Sequence, residues 1–218
     1  MRISRKGALY SHKMALCCVG DIEVGKGVIT RAGEKFTVID HNHEGYPENS
    51  TTLWSEVSTG STYKVTSARN TVKDAAASMA FSTGLSNIML DTTVYYWYDW
   101  KEEASYVAKQ FAIGYKEAKS ASITGFKSQN LFSYLKTQAN RIRYHNGAAV
   151  KHATRDIRYG LDSDGEAEYV GAIYITSDGD VDYASGSISG LYVFPAMNIP
   201  NTTKIIGINS EGYYMLGV

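Results

Sequence analysis

Cysteine, net charge and long apolar runs are the conspicuous shortages of this chain. Only Cys17 and Cys18 occur among 218 residues, and a disulfide between such neighbours would close a strained ring and staple nothing. The pair reads as two small buried apolar side chains, in a chain assembled in a reducing cytoplasm. Lys plus Arg number 22 and Asp plus Glu number 22. No overall field therefore steers the chain toward nucleic acid or an anionic membrane, and neither is an expected partner. There is no run of about 18 apolar residues, so no membrane-spanning helix is expected. Met1-Arg2-Ile3-Ser4-Arg5-Lys6 is basic like the start of a signal peptide, but the apolar stretch from Met14 to Val19 is too short to follow it, and export by that route is not expected. Internal repeats and long low-complexity tracts are missing as well.

Tyrosine is what the chain has in excess: 17 residues, beside 20 glycines and only three prolines. Tyr with Gly, Ser and Asn makes adaptable recognition surfaces, because the ring gives large contact area at low rotamer cost. Strands also favour tyrosine, so position has to decide between the two roles. A chain of this length is expected to form one core with extensions.

Residues 1–30 mix basic, small and apolar side chains without a sustained period and read as an arm or edge strand. Lys35 to Asp40, rich in β-branched and aromatic residues, reads as the first core strand, followed by a loop from His41 to Asn49 and by Ser50-Thr51-Thr52-Leu53-Trp54. Thr71 to Met79 reads as a short helix with Gly84 near its end. Ala104, Val107, Ala108, Phe111, Ala112, Tyr115 and Ala118 recur at three- and four-residue spacings, which predicts an amphipathic helix across Lys101 to Lys119. A second helix is predicted across Ser128 to Ala139, with Ser128 as its N-cap. From Ala148 onward strands and turns return. The sharpest local signal is Tyr169 to Tyr183, two alternating runs joined across Asp178-Gly179, which predicts a β-hairpin.

Ala153-Thr154-Arg155, the hairpin, and then Gly190-Leu191-Tyr192-Val193-Phe194-Pro195-Ala196-Met197-Asn198-Ile199 form an ordered set. With Trp54 after its loop, this order resembles a domain-of-unknown-function family common in bacteriophage virion genes and gut-bacterial surface proteins. That family is related to C-type-lectin-like and formylglycine-generating-enzyme-like folds. The resemblance spans roughly residues 31–206 and is most specific in the C-terminal half. It implies an α+β fold: a C-type-lectin-like mixed sheet with two or three helices, an N-terminal arm at 1–30, and a C-terminal tail at 207–218 lying outside the domain. Both ends of the domain are expected to share one sheet, with residues 150–200 pairing antiparallel beside 35–40. Arg155 matches the family's strand arginine and reads as structural.

No constellation for chemistry is complete. His41-Asn42-His43-Glu44 offers two imidazoles and a carboxylate, but a third ligand at suitable spacing is missing. Asp162-Ser163-Asp164-Gly165-Glu166 and Asp178-Gly179-Asp180-Val181-Asp182 alternate oxygen donors without completing a calcium loop. Cys17-Cys18 has no histidine near it in sequence, there is no Gly-x-Ser-x-Gly elbow, and the Gly20 to Gly27 run lacks a phosphate-loop ending. The expectation is therefore no enzyme, no catalytic residue, no bound metal and no cofactor.

What remains is aromatic surface. Tyr95, Trp97, Trp100, Tyr144, Tyr159 and Tyr183 alternate with small or polar residues and are the candidate ligand-binding side chains. The resemblance and these rings together point to a non-enzymatic bacteriophage virion structural protein, a capsid decoration, head fibre or tail appendage. It would bind other virion proteins and a host-surface glycan or protein. The apolar tail Ile206 to Val218 suggests packing against another subunit, hence a homo-oligomer. Two other readings stand beside it: a retroelement-diversified or surface-displayed ligand-binding protein of a gut bacterium, and a hydrolase.

Overall fold

The Lys35–His41 run and the Ser50–Ser55 run become adjacent strands with scarcely an exposed residue between them, the pattern of strands covered on both faces. They appear in a computed structural model that describes residues 18–59, 63–65, 71–99, 102–119, 130–161, 167–185 and 188–218. In chain order the strands and helices are β1 (Gly27–Ile29), β2 (Lys35–His41), β3 (Ser50–Ser55), β4 (Tyr63–Val65), α1 (Thr71–Ser78), α2 (Thr83–Ile88), β5 (Thr92–Asp99), β6 (Glu102–Ala108) and α3 (Tyr115–Ala118). Then come β7 (Arg143–His145), β8 (Ala148–Val150), β9 (His152–Leu161), β10 (Ala167–Ile175), β11 (Val181–Ser185), β12 (Ile188–Leu191), β13 (Ala196–Pro200), β14 (Ile205–Ile208) and β15 (Tyr214–Leu216). Strand dominates and the helices are short, which is an α+β fold.

The main sheet has six strands in the order β13-β3-β2-β1-β15-β14. All neighbours are antiparallel except β1 and β15, which run parallel, so the sheet is mixed. Phe36, Val38 and Leu53 point to one face, where α2 supplies Leu85 and β13 supplies Met197 and Ile199. Ile39 and Trp54 point to the other, against Val94, Phe111, Phe132 and Phe194. Ser50 to Trp54 and Ala196 to Ile199 lie on neighbouring strands: Ala196 faces Trp54 and Asn198 faces Thr52. The fully buried threonines of β3 are satisfied across this seam. Thr52 donates to Asn198 (2.7 Å), which donates onward to Thr92 (3.0 Å), and Thr51 donates to Asn201 (2.7 Å).

Several sequence expectations are corrected. Residues from 18 to 29 are not an arm: Val19 and Val28 are fully buried, and β1 sits inside the sheet between β2 and β15. The 207–218 segment is not a tail outside the domain, since β14 and β15 extend the same sheet and Leu216 is completely buried. Its apolar residues, read as a subunit contact, are in part core. The 150–200 segment does not pair directly with 35–40, because β3 intervenes between β2 and β13, and the β10–β11 hairpin joins β9 in a separate three-stranded sheet.

The helix predicted across Lys101 to Lys119 is strand β6 followed by the four-residue α3. Ala104, Tyr106 and Ala108 are half-buried while Ser105 and Val107 are exposed, a period of two that the apolar spacing had masked. The β-branched and aromatic β5 supplies the ladder partner for β6. In place of a helix across Ser128 to Ala139 there are single 3-10 turns at Tyr134–Lys136 and Ala139–Arg141. Ser128 itself lies outside the described residues, as do Cys17, residues 1–16 and residues 162–166, which hold the Asp162 to Glu166 run of oxygen donors. The Thr71–Ser78 helix is present, but Gly84 belongs to the following α2 rather than to its end.

The predicted hairpin is present, with Ile175 facing Val181 across a turn in which Gly179 adopts φ 86°. Gly179 is required twice over: its φ is left-handed, and a Cβ there would land on the carbonyl oxygen of Gln138. Buried Arg141 clamps the turn by donating from Nε to the Gly179 carbonyl (2.7 Å) and from Nη1 to the Leu135 carbonyl (2.9 Å).

At the centre, Arg155 on β9 meets Glu117 on α3 in a two-pronged ion pair of 2.6 and 2.8 Å, both side chains fully enclosed. Arg155 also donates to the Tyr95 and Ala112 carbonyls, while Glu117 accepts from the Gly114 amide and the Tyr46 hydroxyl. Arg155 is thus structural, as its strand position suggests. Burial opposes ionisation of Glu117, yet the Arg155 charge and hydrogen bonds outweigh it and hold the carboxyl below its usual value. Arg155→Met or Glu117→Gln alone leaves an uncompensated partner and is expected to lower unfolding free energy by about 3–5 kcal/mol in urea titration, whereas replacing both with apolar residues costs less.

His152 is buried beside Trp54 and Phe194, and burial pushes its pKa down to about 3. The unfolded chain therefore binds a proton there below about pH 6.5 that the folded chain refuses, and stability falls with pH from about 6.5 downward. His152→Gln is expected to flatten the urea-midpoint profile between pH 6 and 5, where the wild-type slope from this group approaches about 1.4 kcal/mol per pH unit.

Candidate functional site

Among the described residues a cleft of about 470 Å³ opens between the β1–β2–β15 side of the main sheet and the 134–144 segment. That volume lies in the range of small-ligand sites, about 300–1,000 Å³. Its chemistry comes from Thr37, Glu56, Tyr134, Arg143, Tyr144 and Tyr213. The backbone makes room for the rings. Gly25 takes φ 94° under the Tyr134 ring, and a Cβ on Gly27 would stand 2.6 Å from the ring of Tyr213. The Tyr213 ring can come this close to β1 only because that position is glycine.

One wall is polar and cross-linked. Glu56 accepts from the Thr37 hydroxyl (3.2 Å) and the Tyr213 hydroxyl (2.6 Å). Burial, helped by the Glu56 carboxylate, pushes Tyr213 up to about 12, so the phenol stays protonated and keeps donating. Lys35 pairs with Glu211 at 2.6 Å and lies 5.0 Å from the centre of the Tyr213 ring. Opposite stands Arg143, its guanidinium 3.5 Å over the buried Trp54 ring. Burial pulls Arg143 down to about 10, with the charges of Tyr134 and Glu56 pushing back, so it is cationic at neutral pH. Tyr144, the next residue, is 57 % exposed at the rim.

Of the six aromatic residues predicted from sequence, only Tyr144 lines this cleft. Tyr95 is half-buried on β5, where its carbonyl accepts from Arg155, and the Trp97 backbone continues the same ribbon opposite Glu103. Tyr159 belongs to β9 and Tyr183 is exposed on β11, both in the second sheet. Trp100 lies outside the described residues. The predicted set is therefore divided among three sheets rather than gathered in one patch.

Sequence reasoning missed Tyr134, Tyr213, Glu56 and Arg143, which come from three segments distant in sequence. The trace it left was Gly25-Lys26-Gly27, weighed only as a phosphate loop, where the glycines in fact admit rings.

The His41 to Glu44 group is committed elsewhere. His41 bonds Thr51 (2.9 Å) and the Ile22 carbonyl (2.7 Å). Asn42 then turns the chain at φ 50°, and His43 faces inward to bond Asp40 (2.8 Å), which also accepts from Ser133. Among the described residues no group of three His, Cys, Asp or Glu side chains is placed to hold a metal ion. At the hairpin turn Asp178 accepts from Thr176 and Asp180 pairs with Lys119 at 3.1 Å, so both carboxylates serve the turn and its neighbour. Comparisons with family models, curated proteins and solved structures gave no match to this chain.

Proposed function

We propose that this chain is a non-enzymatic binding protein of a bacteriophage virion, a capsid decoration, head fibre or tail appendage with a C-type-lectin-like domain for attachment. The observation that carries the binding reading is the cleft. Three tyrosines, a stacked arginine and a carboxylate held by two hydroxyls surround a volume suited to one or two sugar rings. The virion setting rests on the family resemblance, which is most specific in the C-terminal half of the chain. The most strongly coupled ionisable groups, Arg155, Glu117 and Tyr46, are sealed in the core and satisfied by one another, which favours a scaffold over a reaction centre.

Contact with neighbouring subunits is assigned to β14. It is the edge strand of the main sheet, and Ile206 and Ile208 are 49 % and 48 % exposed on it. Light scattering on purified chain is expected to show an oligomer that Ile206→Lys dissociates; a monomer at all concentrations would remove the homo-oligomer. Binding to arrayed bacterial surface glycans is the test of the cleft. Tyr144→Ala is expected to weaken retention by about tenfold without lowering thermal stability. Release of sugar from any retained glycan would overturn the non-enzymatic reading.

A further inference from the structure

Among the described residues three arginines are buried, and they differ in one respect. Arg141 and Arg155 deliver their donors to carbonyls and a carboxylate. Arg143 does not: its Nε and Nη2 are enclosed without a hydrogen-bond partner. The Trp54 face beneath it fixes the plane of the guanidinium but offers no acceptor lone pair. Glu56 is near enough to attract it, but its oxygens accept from Thr37 and Tyr213 and no hydrogen bond or ion pair joins it to Arg143. No carboxylate among the described residues stands within ion-pairing distance of Arg143. A buried cation with unused donors is costly, and an apolar side chain would fill the same place over Trp54 more cheaply. Arg143 is one of the residues that line the cleft, which makes the cleft the side from which an acceptor would approach it.

We propose that the cleft takes a saccharide bearing a carboxylate, with the acid group docked on the Arg143 guanidinium, the ring against the tyrosines, and sugar hydroxyls donating to Glu56 and Glu211. This rests on the reading of the cleft as a binding site and adds the chemical class of its ligand. A planar carboxylate matches the donor fork of a guanidinium in geometry and charge. A phosphate would bring a second negative charge toward Glu56 and Glu211 on the opposite wall, whereas neutral hydroxyls give those carboxylates the donors they accept.

Calorimetric titration of the full chain tests this with a glucuronate-terminated oligosaccharide, a sialylated oligosaccharide, the methyl ester of each, and inorganic phosphate. At least one acid sugar is expected to bind tenfold or more tightly than its ester, and the acid that does so identifies the source. Arg143→Met is expected to bring the acid down to the level of the ester while its thermal midpoint stays at or above that of the parent, an outcome that a purely structural arginine would not give. Equal binding of acid and ester, or phosphate competing as strongly as the acid sugar, overturns the assignment and leaves the cleft standing as a neutral-glycan site. Binding of no saccharide at all removes the cleft reading with it. The acid-to-ester comparison uses the unaltered chain and so holds whether or not the variant folds.

Discussion

A single desolvated ion pair, Arg155 with Glu117, determines how the parts of this fold meet. The four-residue helix that carries Glu117 is too short to persist alone, since helix nucleation is unfavourable and one turn adds little to offset it. It is held because the Glu117 carboxylate is gripped by a guanidinium, a backbone amide and the Tyr46 hydroxyl. Tyr46 in turn anchors the 42–49 loop, and Arg155 reaches back to the Tyr95 carbonyl of the aromatic ribbon. Four segments distant in sequence therefore share one electrostatic knot, which is tolerable in a dry interior only because nearly every lone pair and donor in it is used.

That economy gives Arg143 its meaning. The same chain satisfies two interior arginines with care and leaves two donors of the third without acceptors beside the cleft. Glycine at 27 and the left-handed turn at Gly25 bring two tyrosine rings against backbone at that point. Scaffold and cleft thus use the same residue types in opposite ways, closed in one place and open in the other.

The legible parts of the sequence were those whose signal is local. The Asp178-Gly179 hairpin, the Lys35 strand and the Thr71 helix each depend on turn chemistry or periodicity within a dozen residues, and each is present. Lys101 to Lys119 misled because its apolar residues fit both periods, and a ladder partner some ten residues earlier decided for strand. The short β1, β14 and β15 carry too few residues for any pattern to show. Their place in the sheet is fixed by pairing between the two ends of the chain, which no window of sequence contains. For the same reason Tyr144 was found as a lone surface ring, while its companions at 134, 143 and 213 were not.

The parallel contact of Val28 with Tyr214 has a consequence for biosynthesis. A ribosome delivers residue 28 long before residue 214, so the strand at 27–29 waits with one edge unpaired and the apolar layer of Phe36, Val38 and Leu53 stays uncovered on that side until residues 214–216 are made. Closure between residues so far apart in sequence is a high-contact-order step, slow relative to hairpin formation. Nascent chains of this protein therefore pass through a stage in which a chaperone, or another copy emerging from the same message, competes for that open edge.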